Sequence, residues 1–225
     1  MFTDLRHEMY ELKGASTWQK LTLTGALALS TALFWGLLLG GGLKTLGDPQ
    51  RRALLVTCWS IYGVRLLLTE WVFLKRGIDW KEVLAVGAWI PSIALLYSIL
   101  GGRNPAPIGP IEIFGAVLYA FGSFVNTYSE YRRYVWKLRP ENRGQVYTQG
   151  LFHYAVHINY FGDVVLFTGL SLVSGSPFTL LVPALMLAGF VFANIPVLDA
   201  HLHDKYGAAF DAYAAKTKKL IPLVY

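Results

Sequence analysis

The feature that most constrains this chain is a succession of apolar runs, each close to the length needed to cross a bilayer. About 20 apolar residues span the hydrocarbon core. Leu21 to Leu43, Ala53 to Leu74, Val83 to Leu100, Ile108 to Phe124 and Phe178 to Ile195 all approach that length. Tyr160 to Val173 is shorter and borrows Leu151 to Val156 or tilts. Only 15% of the 225 residues are charged, against about 25% in an average soluble domain. The sequence therefore predicts an all-α fold, a polytopic membrane bundle of six or seven helices with a cytoplasmic C-terminal helix. It reads as one integral membrane domain over residues 1–225.

Basic residues divide unevenly between the two sides of a six-span arrangement. Arg6, Lys13, Lys20, Lys75, Arg76, Lys81, Arg132, Arg133, Lys137, Arg139, Arg143, Lys205, Lys216, Lys218 and Lys219 fall on one side, and Lys44, Arg51, Arg52 and Arg103 on the other. Cytoplasmic loops carry the excess of Lys and Arg, so both termini are expected in the cytoplasm. The net charge of +6 then reflects membrane orientation, and nucleic acid is not an expected partner. The first run is too long for the apolar part of a signal peptide and lacks a small-residue cleavage pattern after it, so it reads as a retained helix. Residues 1–20 suggest a short interfacial helix. One cysteine, Cys58, permits no disulfide or cysteine-based zinc site within the chain. No GxGxxG, Walker, HExxH or GxSxG pattern occurs. A nucleotide would have to bind the membrane helices themselves.

Polar chemistry concentrates in a few places. Asn126, Ser129, Glu130 and Tyr131 close the fourth run, and Arg132, Arg133, Lys137 and Arg139 follow. Such cations suit phosphates, or serve as anchors at lipid head groups. The stretch GLFHYAVHINYFGD holds His153, His157, Asn159, Tyr160 and Asp163, with Asn159 and Asp163 one helical turn apart. Ionisable groups at membrane depth face a cavity or a partner; the alternative is an interfacial helix start, where Tyr and His are comfortable. Asp199, His203 and Tyr206 share a face near the C-terminus, with His201 beside them. Two histidines two residues apart point to different sides of a helix, so no metal site is expected. Inside the membrane, Arg65 reads as one half of an Arg–Glu pair between helices. Glu70 and Tyr97 read either as structural or as the wall of a pocket for the polar end of an apolar substrate.

The runs Asn126-x-x-Ser129-Glu130-Tyr131, Leu138-Arg139-Pro140-Glu141, Gly150-Leu151-Phe152 and Asn159-Tyr160-Phe161-Gly162-Asp163 resemble the C-terminal half of the steroid 5α-reductase family. So do His201 to Gly207, Phe210, Tyr213 and Ile221-Pro222. The likeness covers residues 115–225, which it implies is the cofactor-binding half, with 1–114 the substrate-side helices. It implies NADPH held from the cytoplasmic side by Asn126, Glu130, Arg139, His157, Asn159, Tyr160, Asp163, His201, His203 and Tyr206. It also implies reduction of a carbon–carbon double bond in a lipophilic enone, with the ketone held by an acid of the second span and a tyrosine of the third. Glu70 and Tyr97 are the candidates for those catalytic roles. Glu130 stands where the family usually has Asp, and Asp163 where it has Glu. The related isoprenylcysteine methyltransferases carry Arg-His-Pro-x-Tyr where this chain reads Val156-His157-Ile158-Asn159-Tyr160. The missing Arg and Pro argue against methyl transfer from S-adenosylmethionine, the alternative activity.

Overall fold

A computed structural model describes residues 16–40 and 46–225; the expected interfacial helix lies largely outside the described residues. Helix α1 spans Thr17–Leu39, α2 Pro49–Leu68, α3 Trp80–Gly102, α4 Pro110–Lys137 and α5 Ile158–Ser174. Helices α6 (Leu181–Gly189) and α7 (Ile195–Tyr206) follow, and α8 (Ala208–Ala214) precedes the tail. Apart from one isolated bridge between Ala155 and Lys218, the described architecture is helical. Four segments are long and apolar enough to cross a membrane: Thr17–Leu39, Pro49–Phe73, Trp80–Gly102 and Pro177–Tyr206. Ile158–Ser174 is apolar but shorter.

Local chemistry sets the helix limits. Asp48 caps α2 by accepting the Arg51 amide at 2.8 Å, with Pro49 just inside the helix, where its missing N–H costs nothing. Helix α3 runs through Pro91 without interruption. Two π turns, Thr69–Phe73 after α2 and Phe190–Asn194 between α6 and α7, widen the helical path. The second leads directly to Pro196, which has no amide hydrogen to give to the preceding turn.

The core is built by all five long helices. Leu27, Phe34 and Leu38 of α1 meet Leu55 and Trp59 of α2, Ile93 and Tyr97 of α3, Tyr119 of α4, and Leu166 and Leu170 of α5. Phe34 stacks on Trp59 with ring centroids 4.9 Å apart. The closest pairing joins α4 and α5. Gly115 and Gly122 face Gly169 and Gly162 along an antiparallel seam. A Cβ at Gly122 would meet the Leu166 amide and the Gly162 carbonyl, and one at Gly162 would meet the Asn126 backbone. Small residues allow backbones to approach in this way. The approach brings the C-terminal half of α4 against the start of α5, where the polar residues lie.

Arg51 closes the opposite end. It is fully buried and donates to the Val173 carbonyl at 2.7 Å, the Ala106 carbonyl at 3.1 Å and Glu112 Oε1 at 2.9 Å. This arginine belongs to the minority side of the charge distribution and works as a structural tie.

Candidate functional site

A cleft of about 1150 Å3 opens where α2, α4, α5 and α7 end or begin. It exceeds the roughly 300–1,000 Å3 of ordinary small-molecule sites. Its floor is apolar, formed by Tyr62, Leu66, Phe73, Phe167, Met186 and Leu198. Its polar wall carries Asn126, Glu130, Asn159 and Asp163. Lys75, Arg76, Arg133, Lys137 and Lys205 also line it, so segments far apart in sequence deliver cations to one opening.

The α4–α5 seam fixes the polar wall. Asn126 Nδ2 donates to the Asn159 carbonyl at 3.0 Å, tying the two helices where they flank the cleft. Asp163, one turn beyond Asn159, accepts from Arg65 Nη2 at 3.3 Å. Arg65 Nε donates to Thr127 Oγ1 at 2.8 Å. The buried arginine thus has an aspartate partner on α5 where the sequence suggested a glutamate. Its third nitrogen, Nη1, is buried with no hydrogen-bond partner. Glu130 accepts from Arg133 through Oε2, while Oε1 is buried and unpartnered. A buried polar atom is expensive to leave without a partner, and both atoms belong to residues lining the cleft.

Aromatic packing orders the far wall. Tyr160 stacks between His157, centroids 5.6 Å apart, and Phe190, 4.4 Å apart. His157 is buried and its Nε2 lies 2.8 Å from Asp199 Oδ1, so the start of α5 is clasped to α7. The tail reinforces the same corner: the Val156 and His157 amides donate to the carbonyls of Lys218 and Lys219 at 2.8 and 2.9 Å. Tyr213 donates to the Phe152 carbonyl at 2.5 Å, and burial raises its pKa above the ordinary tyrosine value.

Of the residues singled out in the sequence, Asn126, Glu130, Asn159, Tyr160, Asp163, His201 and Tyr206 line this one cleft. Arg139 is exposed and precedes a short turn at Pro140–Asn142; it is not among the lining residues, although its neighbour Leu138 is. His157 acts behind Tyr160. His203 is exposed and pairs with Asp211 at 2.8 Å. Among the described residues no group of three His, Cys, Asp or Glu side chains is placed to hold a metal.

Neither Glu70 nor Tyr97 is among the residues lining the cleft, although the Tyr97 hydroxyl lies 3.4 Å from the carbonyl of the lining residue Phe167. Glu70 accepts from Thr24 Oγ1 of α1 at 3.2 Å. Tyr97 is fully buried against α5, its hydroxyl 2.8 Å from Ser171 Oγ. Tyr62, Arg65, Lys75, Arg76 and Lys205 are lining residues that the sequence did not mark out as such, whereas Arg133 and Lys137 were read there as cations suited to phosphate or to lipid head groups. For most of them the signal was present as the charge asymmetry of the loops, which also has a topological explanation.

Lys137, the last residue of α4, keeps contact with solvent, yet the protein packed around it, with the Arg133 and Lys205 charges, holds its pKa down at about 8. Three cations gathered this closely favour an anionic ligand.

Fold and cleft together define a helical bundle with four segments able to cross a membrane and a cation-rimmed, apolar-floored cleft at one end. A family model described as "Protein of unknown function (DUF1295)" matches residues 80–217, more than half the chain, and the protein belongs to that family. The chain is also similar to a probable O-methyltransferase, ustE, of Ustilaginoidea virens, with 32% identity over 106 residues. That match covers 45% of this chain and 35% of the relative, so the chain spans about a third of that protein's length.

Proposed function

We propose that the protein is a membrane-embedded, NADPH-dependent reductase of a conjugated carbon–carbon double bond in a lipophilic carbonyl compound. The observation that carries this reading is the convergence of Lys75, Arg76, Arg133, Lys137 and Lys205 on one cleft. A dinucleotide with a diphosphate and a further phosphate needs such a rim, and Arg forks and Lys point charges both serve it. The chain's residues fit the group in two further respects. The buried, unpartnered Glu130 Oε1 suits a hydroxyl or amide donor, and the stacked Tyr160–Phe190 pair suits a planar ring. The resemblance of residues 115–225 to the steroid 5α-reductases points the same way.

When bound, NADPH supplies a hydride to the carbon of the double bond remote from the carbonyl. The chain orients the reactants: Asn126 and Asn159 hold α4 and α5 in register, the cations fix the phosphates, and the apolar floor keeps water from the reacting carbons. Negative charge develops on the carbonyl oxygen, and a fixed hydrogen-bond donor there lowers the barrier. The adjacent carbon would then take a proton from solvent at the cleft mouth, which completes the reduction and leaves the cofactor oxidised. In the membrane the bundle is assigned six spans, α4 and α5 joining the four segments whose length and apolarity suffice on their own. The cleft and both termini face the cytoplasm, following the excess of basic residues on that side.

A second reading, methyl transfer from S-adenosylmethionine to a lipid, draws support from the similarity to the probable O-methyltransferase. Glu130 and Asp163 would then face the sulfonium. The cations on the same cleft oppose it.

Thermal stabilisation of the detergent-purified protein separates the two, because a ligand of the folded state raises stability by mass action. NADPH, NADH and S-adenosylmethionine are titrated separately against wild type, Asn159→Ala and the Lys137→Ala/Lys205→Ala double variant. Stabilisation by NADPH that weakens in the double variant supports the reductase. Stabilisation by S-adenosylmethionine alone replaces it with the methyltransferase.

A further inference from the structure

The tail after α8 ends in a closed turn. The Leu220 and Ile221 amides both donate to the Tyr225 main-chain oxygen at 2.7 Å, and the Val224 amide donates to the Ile221 carbonyl at 3.0 Å. Leu220 is fully buried and anchors the turn. Leu223, at its tip, has a φ of 68°, the one positive value among the described non-glycine residues. The left-handed region is costly for a leucine, yet the turn holds Leu223 and Val224 outward, 83% and 71% exposed. A hydrogen-bonded loop that presents two adjacent apolar side chains in this way is built to meet something apolar.

Two observations say what it meets. Lys216, Lys218 and Lys219 precede the turn and are exposed. Lys219 Nζ lies 3.5 Å from Asp199 Oδ2, while no acidic group pairs with Lys216 or Lys218 among the described residues. An apolar tip that follows uncompensated cations matches the two layers of a lipid leaflet, acyl chains beneath anionic head groups. The level matches as well. The Val156 and His157 amides donate to the Lys218 and Lys219 carbonyls at 2.8 and 2.9 Å, and Ala155 bridges to Lys218. Residues 155–157 lead straight into α5 at Ile158, so the lysines are fastened beside the start of an apolar helix. Tyr154, next in line, is 53% exposed, and a tyrosine is comfortable at the membrane interface.

We propose that the Leu220–Tyr225 turn is a membrane-docking element: Leu223 and Val224 enter the acyl boundary of the cytoplasmic leaflet, while Lys216 and Lys218 pair with the head groups of anionic phospholipids. The inference rests on the assignment of α5 as a span that starts at the cytoplasmic face, and on none of the reductase chemistry. Lys219 meets Asp199, the partner of His157, so docking of the tail braces one corner of the cleft.

The test uses the full chain in nanodiscs of phosphatidylcholine, with and without phosphatidylserine. A trace of phosphatidylcholine carrying a diazirine near the head of its acyl chain is added, and labelled peptides are mapped by mass spectrometry. The peptide holding Leu223 and Val224 should label several-fold more in the discs that contain phosphatidylserine, and salt should shrink the difference. Lys216→Ser and Lys218→Ser should each lower that difference by up to about fivefold, the effect of one lysine at an anionic surface. Leu223→Ser/Val224→Ser should abolish labelling of the turn at an unchanged unfolding temperature. Labelling that ignores lipid charge, or that persists in the Leu223→Ser/Val224→Ser variant, overturns the proposal. So does a turn protected from hydrogen exchange yet unlabelled, which assigns the tip to a second copy of the chain. An unlabelled turn beside a labelled Tyr154 segment removes the docking alone, whereas absence of label from both removes the assignment of α5 as a span as well.

Discussion

Arg65 Nη2 and Asp163 Oδ1, 98 residues apart in sequence, lie 3.3 Å from each other between α2 and α5. The pair is largely buried, with side-chain exposures of 9% and 24%. Removing one partner of such a pair strands a charge, at a cost of about 3 kcal/mol or more, whereas replacing both with apolar groups is far better tolerated. Asp163→Ala should therefore lower the unfolding temperature in detergent sharply. Arg65→Met/Asp163→Leu should recover most of the loss, and a double-mutant cycle measures the coupling.

The glycine seam makes a second prediction. Gly122→Ala or Gly162→Ala places a methyl group against backbone atoms that have no room to retreat, so each should destabilise by about 1–3 kcal/mol. At Gly25 of α1, a methyl group would meet nothing within 4 Å. Gly25→Ala should be neutral or stabilise by less than about 1 kcal/mol. Thermal unfolding of the three variants side by side is the measurement.

On the proposed reading, Lys137 gives NADPH affinity a pH dependence. With its pKa lowered to about 8, it is mostly charged at pH 7 and mostly neutral at pH 9. An anionic ligand binds the charged form, so NADPH affinity should fall as pH rises through about 8. Binding raises the pKa in turn, and the fall shifts upward as the cofactor saturates. In Lys137→Arg, whose guanidinium stays charged, the loss between pH 7 and 9 should largely vanish. Kd values at the two pH values decide it.

The His157–Asp199 contact should matter more to the cleft's shape than to its chemistry. His157→Ala removes the hydrogen bond to Asp199 and one face of the Tyr160 stack. The expected cost is about 1–3 kcal/mol. Hydrogen exchange should accelerate at Val156 and His157, whose amides are held by the tail. Unchanged exchange there would show that the clasp contributes nothing to that corner.

The helices were legible in the sequence because crossing hydrocarbon demands length and apolarity, and both are counted residue by residue. Seven of the residues proposed for the cofactor meet at one cleft because their spacing already placed them near the ends of α4, α5 and α7. What could not be read was partnership across the bundle. Arg65 and Glu70 are five apart on one helix path, yet one turns to Asp163 on α5 and the other to Thr24 on α1. A π turn begins between them, and no periodicity in the sequence announces it. Lys75, Arg76 and Lys205 were visible only as orientation signals, since a loop lysine looks the same whether it faces lipid or a ligand.

The α4–α5 seam also bears on how such a protein can change over time. Where two backbones touch, one residue type fits, and any drift must stop. On the outward side of α4, Ile111, Phe114, Val117, Phe121 and Phe124 are exposed and would accept nearly any apolar neighbour. Lineages of this protein should therefore diverge from the outside inward: the exposed flank of α4 is rewritten, while the spine that holds the cleft together stays as it is.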